Sequence, residues 1–366
     1  MVDSKKVDKD SVPVRSESAG SLSDDEIDKK RAELLQTKAE LYLKQGFAGG
    51  IEQHLKGAFD AAINTQLDAI EQFERLDHKL ADAARMNLVG MLRKIADVYE
   101  KNPGAYPSKW EDDVRLKGVS MRELRARIFA DMGKWKESAD ARSEQVEALK
   151  KMRSQRPDAI AFALNEKAKA LFQASRYRER IAALLESTQV LEAFLIDENT
   201  VGRRANEDGV GRATTRECNM DALIDRYDDL FRAHHAQKEW DKAESALKNE
   251  IKQLQVIATH VESGGDAWGD IQANTIAAGK SMMLGRFLKE LKVYDRAEAA
   301  FSSAAQLFSK TVDRIGDTDL KHLYCSADKR RLGIELDIAK LNLKTAKDNA
   351  DEMKRQMARQ REKAAR

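Results

Sequence analysis

The chain has 366 residues, 42% hydrophobic and 34% charged, and its 64 Lys and Arg against 62 Asp and Glu leave a net charge of +2. That balance excludes a global attraction to nucleic acid or anionic lipid, and no run of about 18 apolar residues offers a membrane-spanning helix. Only four prolines, with a charged fraction above the roughly 25% usual in globular chains, favour long helices that keep one wet face.

Residues 1–22 are polar and Ser/Lys/Asp-rich, and form a tail with too little apolar surface to order itself. They contain no apolar stretch of the secretory kind, so the expected location is cytoplasmic, with cytoskeletal association as a finer expectation. Ser23 followed by Glu26 reads as a capping box opening the first helix, with Asp24 and Asp25 at its positive end. The acids after Ser21 and Ser23 also make these serines candidate phosphorylation sites.

From there the apolar residues recur at helical steps, as in Ala81, Ala84, Leu88, Met91, Leu92, Ile95, Val98 and Tyr99. The pattern predicts helices over 24–55, 58–77, 79–101, 118–132, 134–153, 157–174, 176–196, 216–236, 239–262, 267–291, 293–313 and 317–362, and no strand. The first is expected to break near the glycines of 46–50. Irregular segments are expected at 102–110, 198–215 and 262–270. The longest is locally basic through Arg203, Arg204, Arg212 and Arg216, and suits contact with an acidic partner.

Five turns repeat one another: KGAFDAAI (56–63), GKWKESAD (133–140), SRYRERIA (175–182), KEWDKAES (238–245) and KVYDRAEA (292–299). In each, a small or turn-tolerant residue precedes an aromatic by two positions: Phe59, Trp135, Tyr177, Trp240 and Tyr294. Three residues later Ala62, Ser138, Ala243 and Ala297 put a small side chain where two antiparallel helices approach, while Arg180 breaks the rule. The aromatics and alanines Ala62, Ala243 and Ala297 are the predicted hairpin core.

This turn resembles that of the tetratricopeptide repeat, Gly-x-Tyr-x-x-Ala. Phe301 and Ala304 extend the likeness into a second helix, and Ala126, Phe129 and Gly133, with Leu164, Ala168 and Leu171, into the first helices of two other hairpins. The aromatics are 42, 63 and 54 residues apart from Trp135 onward, against about 34 in the standard repeat. That spacing is closer to the long repeats of kinesin light chains. Arg142 stands at a position the family keeps apolar. The resemblance implies an all-α fold, a right-handed superhelical array of antiparallel helix hairpins. It spans 23–313, with a capping helix at 314–343 and a basic helical tail at 344–366. It also implies a non-catalytic protein-binding scaffold or adaptor that takes a peptide segment or helix on one face. The alternative is a structural subunit of a large cytoskeletal, ciliary or ribonucleoprotein assembly.

Chemistry finds no foothold in the sequence. Cys218 and Cys325 are too far apart for a zinc motif or a disulfide framework, and adjacent His234 and His235 diverge by about 100° on a helix. The glycines of 198–215 lack a preceding strand and a following Lys-Ser/Thr, so no phosphate loop is expected. No cofactor, metal or catalytic residue is predicted. The tail carries eight basic residues against four acidic ones. Lys354, Arg355, Arg359, Arg361 and Lys363 are the candidate contacts to an acidic polymer such as a microtubule or RNA, with a coiled-coil contact through its Ala/Met stripe as another use.

Overall fold

The computed structural model describes the backbone of residues 23–55, 57–101, 111–152, 157–201, 209–263, 267–316 and 326–365. Every regular element among them is an α-helix. The chain divides into two compact units, Met1–Ser108 and Lys109–Arg366.

The first unit holds α1 (Asp24–Leu55), α2 (Ala58–Leu76) and α3 (His78–Lys101), with α2 packed on both others. The capping box forms as expected: the Glu26 N–H donates to Ser23 Oγ at 3.3 Å, and the Ser23 N–H to Glu26 Oε2 at 3.0 Å. The expected break at 46–50 does not occur, and α1 runs through it. Gly46 is there for a different reason, because a Cβ at this position would fall 2.4 Å from the Phe59 ring. Phe59 is 1% exposed and meets Phe47 and Tyr99 edge-on, at 5.3 and 5.8 Å between centroids. The predicted stripe of α3 is buried apart from half-buried Val98. Gln66, 1% exposed, is satisfied by donating to the carbonyl of Ala84 at 3.1 Å.

The second unit is a run of hairpins: α4 (Glu111–Asp131) with α5 (Trp135–Lys150), α6 (Pro157–Gln173) with α7 (Tyr177–Val201), α8 (Gly209–Ala236) with α9 (Trp240–Ser263), and α10 (Ala267–Glu290) with α11 (Tyr294–Gly316). A last helix, α12 (Ser326–Ala365), lies on α11. Each helix packs chiefly on its neighbours in sequence, the one-dimensional arrangement of a repeat array. Two boundaries differ from the sequence reading. The expected 198–215 loop is largely helical, since α7 continues to Val201 and α8 begins at Gly209; of its basic residues Arg203 and Arg204 lie outside the described residues, while Arg212 and Arg216 are on α8. Likewise α4 starts at Glu111 rather than 118; residues 102–110, Ser21, His322 and Cys325 also lie outside the described residues.

The four turns of this unit share one backbone device. Gly133, Ser175, Lys238 and Lys292 each have φ between 58 and 69°, the left-handed region. The next N–H reaches back five residues: Lys134 to Phe129 O, Arg176 to Leu171 O, Glu239 to His234 O and Val293 to Leu288 O, at 2.8 to 3.0 Å. This Schellman closure satisfies carbonyls that a helix end would leave orphaned. The aromatic two residues after the left-handed position then opens the second helix. The spacing seen in the sequence is therefore the spacing of a helix stop and a helix start. In the first unit Gly57, φ 77°, precedes Phe59 equally, but α2 begins one residue earlier, at Ala58.

The alanines behind the aromatics are fully buried: Ala62, Ala243 and Ala297 are each at 0% exposure. Ser138 fits the same slot by donating to the carbonyl of Ala126 at 2.8 Å. The five aromatics are less uniform. Trp135, Trp240 and Tyr294 are half-buried, and Tyr177 is 40% exposed. Tyr177 is thus corrected as a core residue: its ring stands edge-on to the half-exposed Phe172, 6.2 Å away, and Arg180 covers the Phe172 face at 4.6 Å. The core from α5 to α12 includes Ala346, Ala350 and Met353, so the thin stripe after residue 344 packs rather than extending into water. Small side chains let α12 approach α11 closely.

Candidate functional site

Two adjoining cavities lie in the second unit, along the helices that open each hairpin. The first, of about 760 Å³, is walled by α4, α6 and α8 and floored by α5 and α7. Five cations line it, Arg127, Arg142, Lys169, Arg180 and Arg232, against the carboxylates of Asp131, Glu166 and Asp229. The second, of about 500 Å³, lies between α8 and α10 over α9. Its charge is reversed: Asp221, Asp225, Asp228 and Glu250 face one cation, Lys280, among the apolar walls of Ile224, Leu254, Ile257 and Ile276.

Helix α8 joins the two. Its Asp229 accepts an ion pair from Arg180 at 3.6 Å, while Asp228, one residue earlier, pairs with Arg232 at 2.6 Å and Lys280 at 2.9 Å. The groove therefore changes sign along one helix face, from cationic beside α4 and α6 to anionic beside α10. Phe172 and Ile276, 46% and 49% exposed, stand in its two halves as apolar contacts open to solvent.

The floor is unusually polar for a helical core. Arg142, 4% exposed, lies 4.0 Å from both Glu123 and Glu166 and donates to Gln145 Oε1 at 2.8 Å. Burial lowers its pKa, and the two carboxylates restrain that shift. Arg226 is lowered by burial in the same way and opposed by Asp229, Asp225 and Glu166. Asn165 is 4% exposed, and its Oδ1 receives no hydrogen bond, leaving an acceptor unspent in the wall of the first cavity. In the second cavity Glu250 is 0% exposed, and burial raises its carboxyl to about 7 despite Lys280 at 2.6 Å. Burial pulls Lys280 down, but its bonds to Glu250 and Asp228 outweigh that and raise it.

The site residues expected from the sequence lie mostly outside these cavities. Of the hairpin aromatics, Trp135 lines the first cavity. Lys354 is held by Asp351 at 3.3 Å and Glu298 at 3.9 Å, and Arg355 donates to the Asp351 carbonyl at 3.3 Å, while Arg359, Arg361 and Lys363 are exposed on the last turns of α12. His234 and His235 serve the α8–α9 turn: His234 Nδ1 meets Glu239 Oε2 at 2.6 Å, and His235 lies 5.4 Å from the Trp240 ring. Among the described residues no three His, Cys, Asp or Glu side chains are placed to hold a metal ion, and no helix is long and apolar enough to cross a membrane.

The groove residues had a signal in the sequence. Aligning the five turns puts Ala69, Gln145, Ser187, Glu250 and Ala304 at one position, seven residues after the small one, and all are at most 3% exposed. Glu250 thus stands where the last hairpin has alanine, and Arg142 where the last hairpin has Phe301. A charge in a slot that the repeat reserves for packing marks the floor of the groove.

No protein-family model and no curated protein matches the chain. Solved structures similar to it include BtubC from P. vanneervenii, 12% identical over 76% of this chain and 92% of that one, with a TM-score of 0.35. A putative kinesin light chain from P. anserina with nearly identical TPR-like repeats is 13% identical over 62% and 95%, TM-score 0.26. A Rap protein complexed with competence and sporulation factor is 13% identical over 89% and 80%, TM-score 0.27. Likenesses this distant carry no functional weight, and the fold rests on the hairpins themselves: the chain is all-α, built of antiparallel helix hairpins of the tetratricopeptide-like kind.

Proposed function

We propose that the chain is a non-catalytic protein-binding scaffold whose recognition surface is the charge-divided groove of the Lys109–Arg366 unit. The carrying observation is the reversal of sign across α8, from five cations against three carboxylates to four carboxylates against one cation. A partner segment that is acidic at one end and basic with apolar side chains at the other fits this order. Acidic groups meet Arg127, Lys169 and Arg232, a Lys or Arg meets Asp221 and Asp225, and apolar side chains cover Ile276. Complementary charge of this kind selects register and direction more than it adds affinity. The unspent Asn165 Oδ1 offers an acceptor to a partner N–H.

Site-specific photocrosslinking tests this in cells. A benzophenone amino acid replacing Phe172 and, separately, Ile276 should capture the same protein. The same probe replacing Leu185, 43% exposed and outside both cavities, should not. Capture from Leu185 alone, or different proteins from the two groove positions, would remove the groove as the recognition surface.

A further inference from the structure

We propose that the second cavity binds an alkylammonium group, the chemistry shared by a free polyamine and a lysine side chain, with the Glu250 carboxylate as its deepest acceptor. Four carboxylates line this cavity against the one ammonium of Lys280. They are graded in depth: Asp221 and Asp225 are exposed, the Asp228 side chain is 17% exposed and Glu250 is at 0%. Lys280 is divided between the two deepest, with its Nζ 2.6 Å from Glu250 Oε1 and 2.9 Å from Asp228 Oδ1. Glu250 Oε2 receives no hydrogen bond. A buried carboxylate oxygen is costly unless it is paired, so this one is an acceptor kept for a cation that enters the cavity.

Between the carboxylates the lining is apolar, with Leu254, Ile257 and Ile276. That order suits a compact charged head on an apolar stem, the build of an alkylammonium. A guanidinium is planar and would bring five donors to a floor that offers one oxygen. Asp221, Asp225 and Asp228 stand four and three residues apart on α8, in a row along one helix face with steps of about 5–6 Å. Ammonium groups separated by three or four methylenes can follow that row from the mouth of the cavity to its floor. Burial raises the Glu250 carboxyl to about 7, and the charged groups acting on it are Asp228 and Arg232 from α8 and Lys280 from α10. An arriving cation favours the ionised carboxylate. Binding below about pH 7 therefore expels a proton, and affinity rises as pH passes through 7.

The test is isothermal titration calorimetry of the full-length chain with spermidine and, separately, with N-acetyl-lysine methylamide. Titrations are run at pH 6.5 in two buffers of different ionisation heat and again at pH 8. At least one probe should bind once per chain, release protons at pH 6.5 and bind more tightly at pH 8. Glu250→Gln should weaken that binding by about tenfold or more and abolish the proton release. Asp225→Asn, at the exposed mouth, should weaken it by about threefold, and Asp348→Asn, an exposed carboxylate outside the cavity, should leave it unchanged. Tighter binding of spermidine assigns the site to a free polyamine. Equal or tighter binding of the lysine derivative assigns it to a lysine of the groove's partner, and in that case the site rests on the groove reading. No heat from either probe at millimolar concentration, binding without proton release, or binding unchanged in a Glu250→Gln variant that melts as the wild type does would each overturn the proposal. If that variant melts early, proton release by the wild type and the contrast between Asp225→Asn and Asp348→Asn decide the matter. Crosslinking from Phe172 and Ile276 reads a protein partner, so failure there leaves a spermidine result standing.

Discussion

The ring of Phe301 occupies the place where any side chain on Gly285 would have to go. A Cβ at Gly285 would lie 2.7 Å from Cδ1 and Cε1 of that ring, and Phe301 is 0% exposed. Replacing a helical glycine by alanine normally stabilises by about 0.5–1 kcal/mol. Here the overlap forces a buried aromatic off its packing, at a cost of about 1–3 kcal/mol. Gly285→Ala should therefore lower the denaturation midpoint, while Gly279→Ala on the same helix, with nothing within 4 Å of the added carbon, should raise it. Chemical denaturation of the two variants checks the contrast.

Three of the four left-handed turn positions in the second unit are held by residues with a Cβ: Ser175, Lys238 and Lys292. That conformation costs an L-residue about 1–2 kcal/mol relative to glycine. Lys238→Gly and Lys292→Gly should each stabilise by about 1 kcal/mol and raise the melting temperature by a few degrees. Gly133→Ala should do the reverse. Differential scanning calorimetry reads all three.

Glu250 makes stability depend on pH. Its carboxyl titrates near 4.5 when unfolded and is raised to about 7 when folded, chiefly by burial. Between those values the folded state holds the extra proton, so stability is greatest below about pH 4.5, falls as pH rises through 7 and levels above it. The loss attributable to this group is at most about 3 kcal/mol. Lys280 pairs with it at 2.6 Å and with Asp228 at 2.9 Å, and Asp228 in turn pairs with Arg232 at 2.6 Å. Glu250→Gln cannot ionise. The slope of unfolding free energy between pH 5 and pH 8 should flatten in that variant, whatever the change in absolute stability.

The hairpin aromatics should separate by burial. Phe59→Ala, at 1% exposure between Phe47 and Tyr99, should cost about 3–5 kcal/mol. Tyr177→Ala, at 40% exposure, should cost under about 1 kcal/mol. Equal losses would mean that Tyr177 anchors its hairpin after all.

The sequence made the hairpins legible because they are local. A left-handed residue, an aromatic two positions on and a small residue three beyond that are fixed by backbone geometry within a single turn. Helix existence and order followed from apolar periodicity and the scarcity of proline. The floor of the groove left a trace in Arg142 and Glu250, but its walls were not legible, because they come from residues about 40–60 positions apart, such as Arg127, Glu166 and Asp229, and no local pattern brings them together. Arg142 and Arg180 stood out as departures from the repeat, yet their meaning needs the carboxylates of neighbouring hairpins. Gly46 misled for the opposite reason: glycine reads as a breaker until the ring of Phe59 is seen pressed against it.

The central claim is that the divided charge of the groove recognises a partner protein, and one comparison tests it directly. The wild-type chain, an Arg127→Glu/Lys169→Glu variant and an Asp221→Lys/Asp225→Lys variant would be purified from their own cells under mild conditions, with co-purifying proteins quantified by mass spectrometry. Arg127 and Lys169 make only exposed pairs one turn away along their own helices, with side chains 62% and 64% exposed, so reversing them should leave the fold intact. The account predicts that one shared set of partners is lost from both variants, since either half of the groove is needed. Retention of the same partners by both variants, at wild-type levels and with unchanged melting, would contradict it.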